Sequence, residues 1–232
     1  MVIARRNGSW PDQGSVKEAL RKVTLFSDLG DEDLATIAAQ TTFKSMSKGT
    51  PLITEGEEAR ALYIIQRGRV KVYITDDEGK ELILCTLGPG QCVGELAILD
   101  DELRSASVMA TEQSCFLVLS KERFRECFAS HPHVGLQLVK HLVLKIRQST
   151  DDLRSLGLMD VYQRVVRVLL GLAQNAGDKL IIQPRPTNQD IANRVGASRE
   201  MVSRILNELA RGDYLAIETN AILVNRKLPA HW

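Results

Sequence analysis

The stretch "VGELAILDDELRSAS", residues 93–107, places two opposite charges on either side of an apolar run. Glu95 follows Gly94, and Arg104 precedes Ser105, inside a glycine-punctuated segment that otherwise has the pattern of β-structure. A surface hairpin would scatter its charges, and a buried strand would carry few or none. Neither kind of element accounts for this pair of charges.

The sequence around this stretch predicts a β-rich domain. From about residue 43 to residue 119, short β-rich runs at 62–65, 70–74 and 82–84 are separated by glycine-containing turns. Many short strands at even spacing predict an antiparallel barrel or jelly roll. Residues 16–42 precede it and predict two helical pieces, the second of which begins at Asp31, whose side chain is expected to cap it.

A long helix is predicted after Pro132, and its apolar positions alternate in steps of three and four, as in a coiled-coil seam. The seam positions are Leu136, Val139, Val143, Ile146, Thr150, Leu153 and Gly157. Thr150 is a polar residue in this seam, with Ser149 beside it. One interpretation is that Thr150 lies on a solvated face and has little effect on helix stability. The other is that it fixes the register of the seam, or contacts a group held at a dimer interface, and we favour this second interpretation.

The C-terminal part has the pattern of a helix-turn-helix. An amphipathic helix is expected from Asp160 to about Asn175, and two shorter helices follow. Thr187 can cap the first of these with Asp190 in a capping box, Gly196 suits the turn, and Ser198 can cap the second.

The outer face of the second helix carries the side chains that can read DNA. These are Arg199, Glu200, Ser203 and Arg204. Arginine can donate two hydrogen bonds to a guanine edge, and glutamate can accept from cytosine. The alternative is a solvated face with a Glu200–Arg204 ion pair, but cap, turn and apolar spacing agree with one another and favour DNA binding. After Gly212, a hairpin that turns at Thr219-Asn220 is predicted to form a wing.

Composition narrows the class of protein. The chain has 232 residues, is 44% hydrophobic and 25% charged, and carries a net charge of +1 that divides into +3 from residue 160 onward and −2 before it. Its four cysteines form no CxxC motif and predict buried, reduced thiols in a cytoplasmic protein.

No run is long enough to span a membrane, and "MVIARRNGSWPDQGS" at the start predicts a loose leader rather than a signal peptide. Neither a catalytic Ser/His/Asp set nor a P-loop is visible, so we do not expect an enzyme.

Together these features resemble the cyclic AMP receptor protein (CRP) and FNR family of bacterial transcription regulators, from about Leu25 to Asn225. "GELAILDDELRSA" is similar to the family's phosphate-binding cassette, and "GASREMVSRIL" to its recognition helix. The resemblance implies an α+β fold of three parts. Residues 1–132 would form N-terminal helices and a cyclic-nucleotide-binding β-roll, or jelly roll. Residues 133–158 would form a long central dimerisation helix, and residues 160–232 a winged helix-turn-helix domain.

The resemblance also explains the two charges in residues 93–107. It implies a ligand-binding set of Gly94, Glu95, Leu96, Arg104, Ser105, Ser149 and Thr150. Backbone N–H groups around Glu95 and the Arg104 and Ser105 side chains would face the nucleotide phosphate, while the Glu95 carboxylate would accept a hydrogen bond from the ribose hydroxyl. Ser149 and Thr150 would contact the base, Thr150 from the opposite subunit. Buried charges are costly without partners, which agrees with a polar ligand at this position.

On the DNA side, Arg199, Glu200 and Arg204 match the family's base-reading residues, which implies a TGTGA-like half-site repeated as a palindrome by a homodimer. Ser203 departs from this pattern towards FNR and implies relaxed or hybrid base preference. The predicted DNA-binding set is Thr187, Ser198, Arg199, Glu200, Ser203 and Arg204. RNA polymerase is the further partner that the resemblance implies.

The favoured effector is cyclic AMP, although the Ser149-Thr150 order is the reverse of the Thr-Ser pair in cyclic AMP binders of this family. The same fold with cyclic di-GMP, or acting without a ligand, stays open. A cyclic-nucleotide sensor that docks a partner protein is the alternative of another class. No cysteine precedes Cys85 and no haem ligand pair is evident, so neither an iron–sulfur cluster, haem nor a metal is expected.

Overall fold

A computed structural model describes residues 13–177 and 179–229, so most of the expected leader lies outside the described residues. Contacts along the chain divide it into two units. The first comprises residues Met1–Ile74 and Leu84–Lys145, and the second comprises Thr75–Ile83 and Ile146–Trp232.

The first unit contains the β-rich domain. Its helices are α1 (Gln13–Arg21), α2 (Asp31–Ala39), α3 (Leu96–Leu99) and α4 (Lys121–Ser130), with a 3-10 turn at Thr24–Phe26. Its strands are β1 (Thr42–Met46), β2 (Pro51–Ile53), β3 (Ala61–Arg67), β4 (Val70–Thr75), β5 (Glu81–Leu87), β6 (Cys92–Val93), β7 (Ser107–Ala110) and β8 (Ser114–Ser120). The tip of the β4–β5 hairpin groups with the second unit.

These strands form two four-stranded sheets, in the orders β1-β8-β3-β6 and β2-β7-β4-β5. Strand β3 pairs with β8 in antiparallel register, with Leu62 opposite Leu119 and Ile64 opposite Leu117. All four of these side chains are buried. Burial of apolar side chains on the strands and on α1, α2 and α4 stabilises this unit and holds the loop after β6 against a rigid core.

The long helix α5 (Pro132–Leu158) begins in the first unit and continues into the second. Val134 and Leu138 are buried in the core of the first unit. The apolar seam positions of α5 are instead exposed by between 42% and 69% in the single chain. These are Leu136, Val139, Val143, Ile146 and Leu153.

The second unit contains three further helices and a small sheet. They are α6 (Val161–Leu172), α7 (Asn188–Val195) and α8 (Arg199–Arg211), with strands β9 (Gln174–Ala176), β10 (Lys179–Ile182), β11 (Leu215–Ile217) and β12 (Ile222–Val224). The sheet order is β11-β12-β10-β9. The β11–β12 pair is the predicted wing hairpin. Val165, Leu169, Ile191, Val202 and Leu209 are buried together, so all three helices share one core.

Three local expectations are wrong. The N-cap residue of α2 is Gly30, without a side-chain cap, and Asp31 is the first helical residue, ion-paired with Lys17 and Arg21. The helix expected to reach Asn175 ends at Leu172, because Gln174–Ala176 pairs with β10 as strand β9. Of the four cysteines, which are all free thiols, Cys92 and Cys127 are buried whereas Cys85 and Cys115 are only half-buried.

Candidate functional sites

The turn after β6 has a backbone that requires glycine. Gly94 has φ +89°, in the region that L-residues avoid. A Cβ atom at this position would lie 2.5 Å from Nη1 of Arg104. The next residue, Glu95, is the N-cap residue of the short helix α3. The missing side chain of Gly94 therefore makes room for the guanidinium of Arg104 beside the start of α3.

Arg104 is a buried cation, with only 5% of its surface exposed. Its Nη1 donates to the carbonyl oxygen of Gly94 at 2.6 Å, and its Nη2 to that of Ala61 at 2.7 Å. Burial lowers the pKa of Arg104 from its ordinary value. Among the described residues, no carboxylate forms an ion pair with it. A fixed guanidinium held by neutral carbonyls retains its positive charge for an anion.

The carboxylate of Glu95 is buried, and only one of its two oxygens is hydrogen-bonded to a described residue. The residue is 1% exposed, and its Oε1 accepts from Nζ of Lys145 on α5 at 2.5 Å. Its Oε2 is buried and has no hydrogen-bond partner among the described residues. An ionised carboxylate only accepts hydrogen bonds, so this oxygen suits a ligand hydroxyl. Lys145 was not predicted, because nothing local in the sequence connects it with a residue fifty positions earlier.

The other predicted pocket residues are placed differently. Leu96 and Ser105 are exposed. Within residues 93–107, Ser107 rather than Ser105 has a hydroxyl that is hydrogen-bonded to the protein. Its oxygen accepts from the backbone N–H of Glu55 at 3.0 Å. The structure thus brings Gly94, Glu95 and Arg104 together.

Ser149 and Thr150 are exposed on the part of α5 that belongs to the second unit. The Thr150 hydroxyl donates to the carbonyl oxygen of Ile146 at 2.9 Å, a bond that leaves the hydroxyl oxygen able to accept another.

The two short helices α7 and α8 are set by local sequence signals. Thr187 and Asp190 form the predicted capping box at the start of α7. Gly196 ends that helix in the left-handed conformation, with φ 64° and ψ 43°. Ser198 caps α8 by accepting from the backbone N–H of Met201 at 3.2 Å. Because Ala192 is small and fully buried, α7 and α8 pack closely and α8 presents its outer face to solvent.

That outer face carries the predicted base-reading side chains. Arg199, Glu200 and Arg204 are exposed, and Ser203 is half-exposed. Glu200 and Arg204 form no ion pair with each other in the described structure; instead, Nη2 of Arg204 lies 3.0 Å from Sδ of Met201. The ion-paired surface helix that the sequence left open is therefore not observed, and both charged groups are available to a partner.

Sequence reasoning missed several residues beside this face. Asn207, Glu208 and Arg211 line the same shallow groove as Arg199 and Arg204. The helical period of 3.6 residues would have found them, because 207 and 211 continue the line of 200 and 204 by one and two further turns. A second groove is lined by Arg185, Thr187, Gln189, Arg199 and Thr219, among others.

In residues 13–177 and 179–229, no cluster of three or more His, Cys, Asp or Glu side chains could hold a metal ion. Within the same residues, no helix combines the length and apolarity needed to cross a membrane.

Two family models match these two regions of the chain. The cyclic nucleotide-binding domain matches residues 43–131, which include Gly94, Glu95 and Arg104. The Crp-like helix-turn-helix domain matches residues 163–227, which include α7, α8 and the wing.

Curated relatives extend the likeness to most of the chain. The cAMP-activated global transcriptional regulator CRP of Salmonella typhimurium is 34% identical over 186 residues, covering 78% of this chain and 88% of the relative. The chain belongs to the CRP/FNR family of transcription regulators. The CRP-like cAMP-activated global transcriptional regulator of Mycobacterium tuberculosis is 29% identical over 212 residues, covering 90% of this chain and 95% of the relative.

Solved structures of CRP/FNR proteins share the fold. The c-di-GMP-responsive global regulator CLP of Xanthomonas campestris has a TM-score of 0.76 at 23% identity, with 85% of this chain and 100% of that chain covered. The catabolite activator protein of Thermus thermophilus has a TM-score of 0.53 at 30% identity, with 87% and 93% covered. The predicted family and fold class are confirmed, and the chain is a CRP-like, cyclic-nucleotide-binding and DNA-binding regulator.

Proposed function

We propose that this CRP/FNR regulator binds cyclic AMP at Gly94, Glu95 and Arg104 and reads a TGTGA-like palindrome as a homodimer. The observation that carries the ligand site is a buried guanidinium without a carboxylate partner, next to a buried carboxylate with a free oxygen. A cyclic phosphate supplies the missing anion and a ribose hydroxyl supplies the missing donor.

The rest of the predicted ligand set is part of this proposal. Backbone N–H groups at Glu95 and Leu96 would face the phosphate, and Ser105 would donate to it. Ser149 and Thr150 would contact the base, with Thr150 acting in the pocket of the opposite protomer. The proposed organisation is residues 1–132 for ligand binding, 133–158 for dimerisation and 160–232 for DNA binding.

Dimerisation is supported by the exposed seam of α5. A row of aliphatic side chains at coiled-coil spacing is exposed in the single chain, and a second copy of the same helix would cover it. Two-fold symmetry then presents two α8 helices to two half-sites of a palindrome. The ligand acts as a switch only if it binds two arrangements of this dimer with different free energies. The difference between these free energies is typically about 1–3 kcal/mol.

The choice of cyclic AMP is supported by the curated relatives, which are described as cAMP-activated. Cyclic di-GMP is the effector of the Xanthomonas campestris regulator, but at 23% identity that likeness supports the fold alone. Cyclic di-GMP is therefore the competing ligand, and a pocket without any ligand is the third case. A bacterial regulator of this kind would act in the cytoplasm and contact RNA polymerase.

Calorimetry with cyclic AMP, cyclic GMP and cyclic di-GMP tests the effector. We expect saturable binding of cyclic AMP, with the other two weaker. Tighter binding of cyclic di-GMP would reassign the effector, and heat signals without saturation for all three would leave a ligand-independent regulator.

Gel-shift titration against a TGTGA palindrome tests the DNA site, with and without cyclic AMP. Arg204→Ala should weaken binding by about 1–3 kcal/mol, because a bidentate contact to guanine is lost, and should relax base preference. Arg211→Ala is the matched control on the same helix. It should lower affinity for all sequences alike if it contacts phosphate. A surface that docks a protein would show neither base preference nor strong salt dependence.

A further inference from the structure

His141 lies on α5 one helical turn before Lys145, so both side chains belong to the same face of the helix. Nε2 of His141 is buried and has no hydrogen-bond partner among the described residues. The neighbouring buried oxygen, Oε2 of Glu95, is likewise unpartnered there. Two unsatisfied buried polar atoms near a half-buried ion pair indicate a site built for a further polar group.

The charges around His141 come from two elements of the first unit. Lys145 on α5 and Glu95 in the turn after β6 both act on its pKa electrostatically. Burial lowers the pKa of His141, the ammonium of Lys145 lowers it further, and the Glu95 carboxylate opposes both. Cys92 on β6 adds no charge at neutral pH, because burial raises its thiol pKa to about 12. Burial therefore favours the neutral imidazole of His141 near the Glu95–Lys145 ion pair.

We propose that His141 is a further affinity-determining residue of the nucleotide pocket and takes up a proton when the ligand binds. This inference rests on the proposed function, in which Arg104 binds the nucleotide phosphate. The added negative charge favours the imidazolium over the imidazole, so one proton passes from solvent to His141. By linkage, affinity for the anionic nucleotide rises as pH falls, and it levels off below the pKa of free His141.

Calorimetry with cyclic AMP between pH 5.5 and 8, in buffers of different ionisation enthalpy, measures both affinity and proton uptake. We expect Kd to fall by roughly 3- to 10-fold from pH 8 to pH 5.5, since one unit of pKa shift corresponds to a tenfold change. His141→Gln should bind with a Kd that no longer depends on pH. His133→Gln, a change at an exposed histidine of the same helix, should keep the wild-type pH dependence.

The outcomes separate this inference from the proposed function. Saturable binding with the same pH dependence in wild type and His141→Gln would overturn the role of His141 alone. Absence of cyclic AMP binding at every pH would overturn the proposed effector.

Titration of the histidine ring signals by NMR is a second measurement, and it is made on the wild-type protein. It therefore does not depend on whether His141→Gln folds. The His141 ring should titrate below 6.5 without ligand and at higher pH with saturating cyclic AMP. An unchanged titration on saturation would contradict the inference.

Discussion

At the scale of single residues, Arg104 is the side chain whose chemistry most directly implies a ligand. It is held by two backbone carbonyls, and no acidic group of the described chain pairs with it. The structure thus stabilises the position of a positive charge without neutralising it. An anion that reaches the pocket meets a guanidinium that needs little further ordering, which lowers the entropic cost of binding.

Arg104→Leu should remove nucleotide binding, with a loss of affinity of 100-fold or more, on the order of 3 kcal/mol for a buried charge-assisted contact. The substitution also leaves the carbonyls of Gly94 and Ala61 without their donor, so some stability is lost as well. Calorimetry with cyclic AMP measures the first effect, and thermal unfolding measures the second.

Gly94→Ala is the matched variant, because it keeps the Arg104 charge but displaces the guanidinium from its position. It should weaken binding too, and by less than Arg104→Leu. Regulation that survives Arg104→Leu would identify a vestigial pocket, whereas nucleotide binding that survives it would contradict the role of Arg104.

At the scale of elements, the parts predicted well are those whose signals lie within a few residues of one another. The caps of α7 and α8 and the turn glycine between them depend on residues three or four positions apart, and all are observed. Strand β9 was missed because Gln174, Asn175 and Ala176 are exposed and have no strand pattern of their own. Their extended conformation comes from pairing with β10.

The candidate site shows the same division. The cassette glycine and its two charges were predicted from one continuous stretch. The partner of Glu95 was not, because Lys145 reaches it from a helix that follows the whole β-roll in sequence. A single sequence contains no signal for such a pairing.

The turn between α7 and α8 allows a test of backbone conformation without crowding. At Gly196 a Cβ would lie 3.8 Å from the side chains of Leu156 and Leu82, an ordinary contact distance. Gly196→Ala should therefore cost about 1–2 kcal/mol through the left-handed conformation alone. Gly196→Asn should cost less, since asparagine tolerates that conformation better. Denaturant unfolding measures both, and equal losses would show that sterics rather than backbone conformation decide this position.

The contacts of His131, at the junction between α4 and α5, predict that stability depends on pH. Nε2 of this residue lies 3.0 Å from Oδ1 of Asp33 on α2, and its Nδ1 lies 3.0 Å from the carbonyl oxygen of Cys127. The hydrogen bond to Asp33 is the main cause that raises the pKa of His131 above 6.5. A raised pKa in the folded state adds stability that is complete below the unfolded pKa and is lost as pH rises through the folded pKa.

Asp33→Asn should therefore lower Tm at pH 5.5 to 6 more than at pH 9, where His131 is neutral with or without Asp33. Circular dichroism melts at both pH values measure the difference. Glu32→Gln, an exposed change on the same helix, should show little of this pH dependence. A Tm deficit of Asp33→Asn that is the same at pH 6 and pH 9 would contradict the ion pair.

At the scale of the whole molecule, the exposed seam of α5 decides whether one chain or two form the regulator. An aliphatic row that is 42% to 69% exposed is unfavourable in water, and association of two helices removes it from solvent. Ile146→Glu would place a carboxylate from each protomer at the centre of that seam. We expect the dimer to dissociate at micromolar concentration and affinity for the full palindrome to fall steeply, since two half-sites would no longer be bound by one particle.

Sedimentation velocity of the full chain measures the change of mass, and gel-shift titration against one and two half-sites measures its consequence for DNA. Gln148→Glu adds the same carboxylate on the opposite side of α5 and should leave both the dimer and the palindrome affinity nearly unchanged. If Ile146→Glu stayed a dimer with full palindrome affinity, another surface would have to join the protomers. The two-fold axis that presents both α8 helices to a palindrome would then have to pass through that other surface.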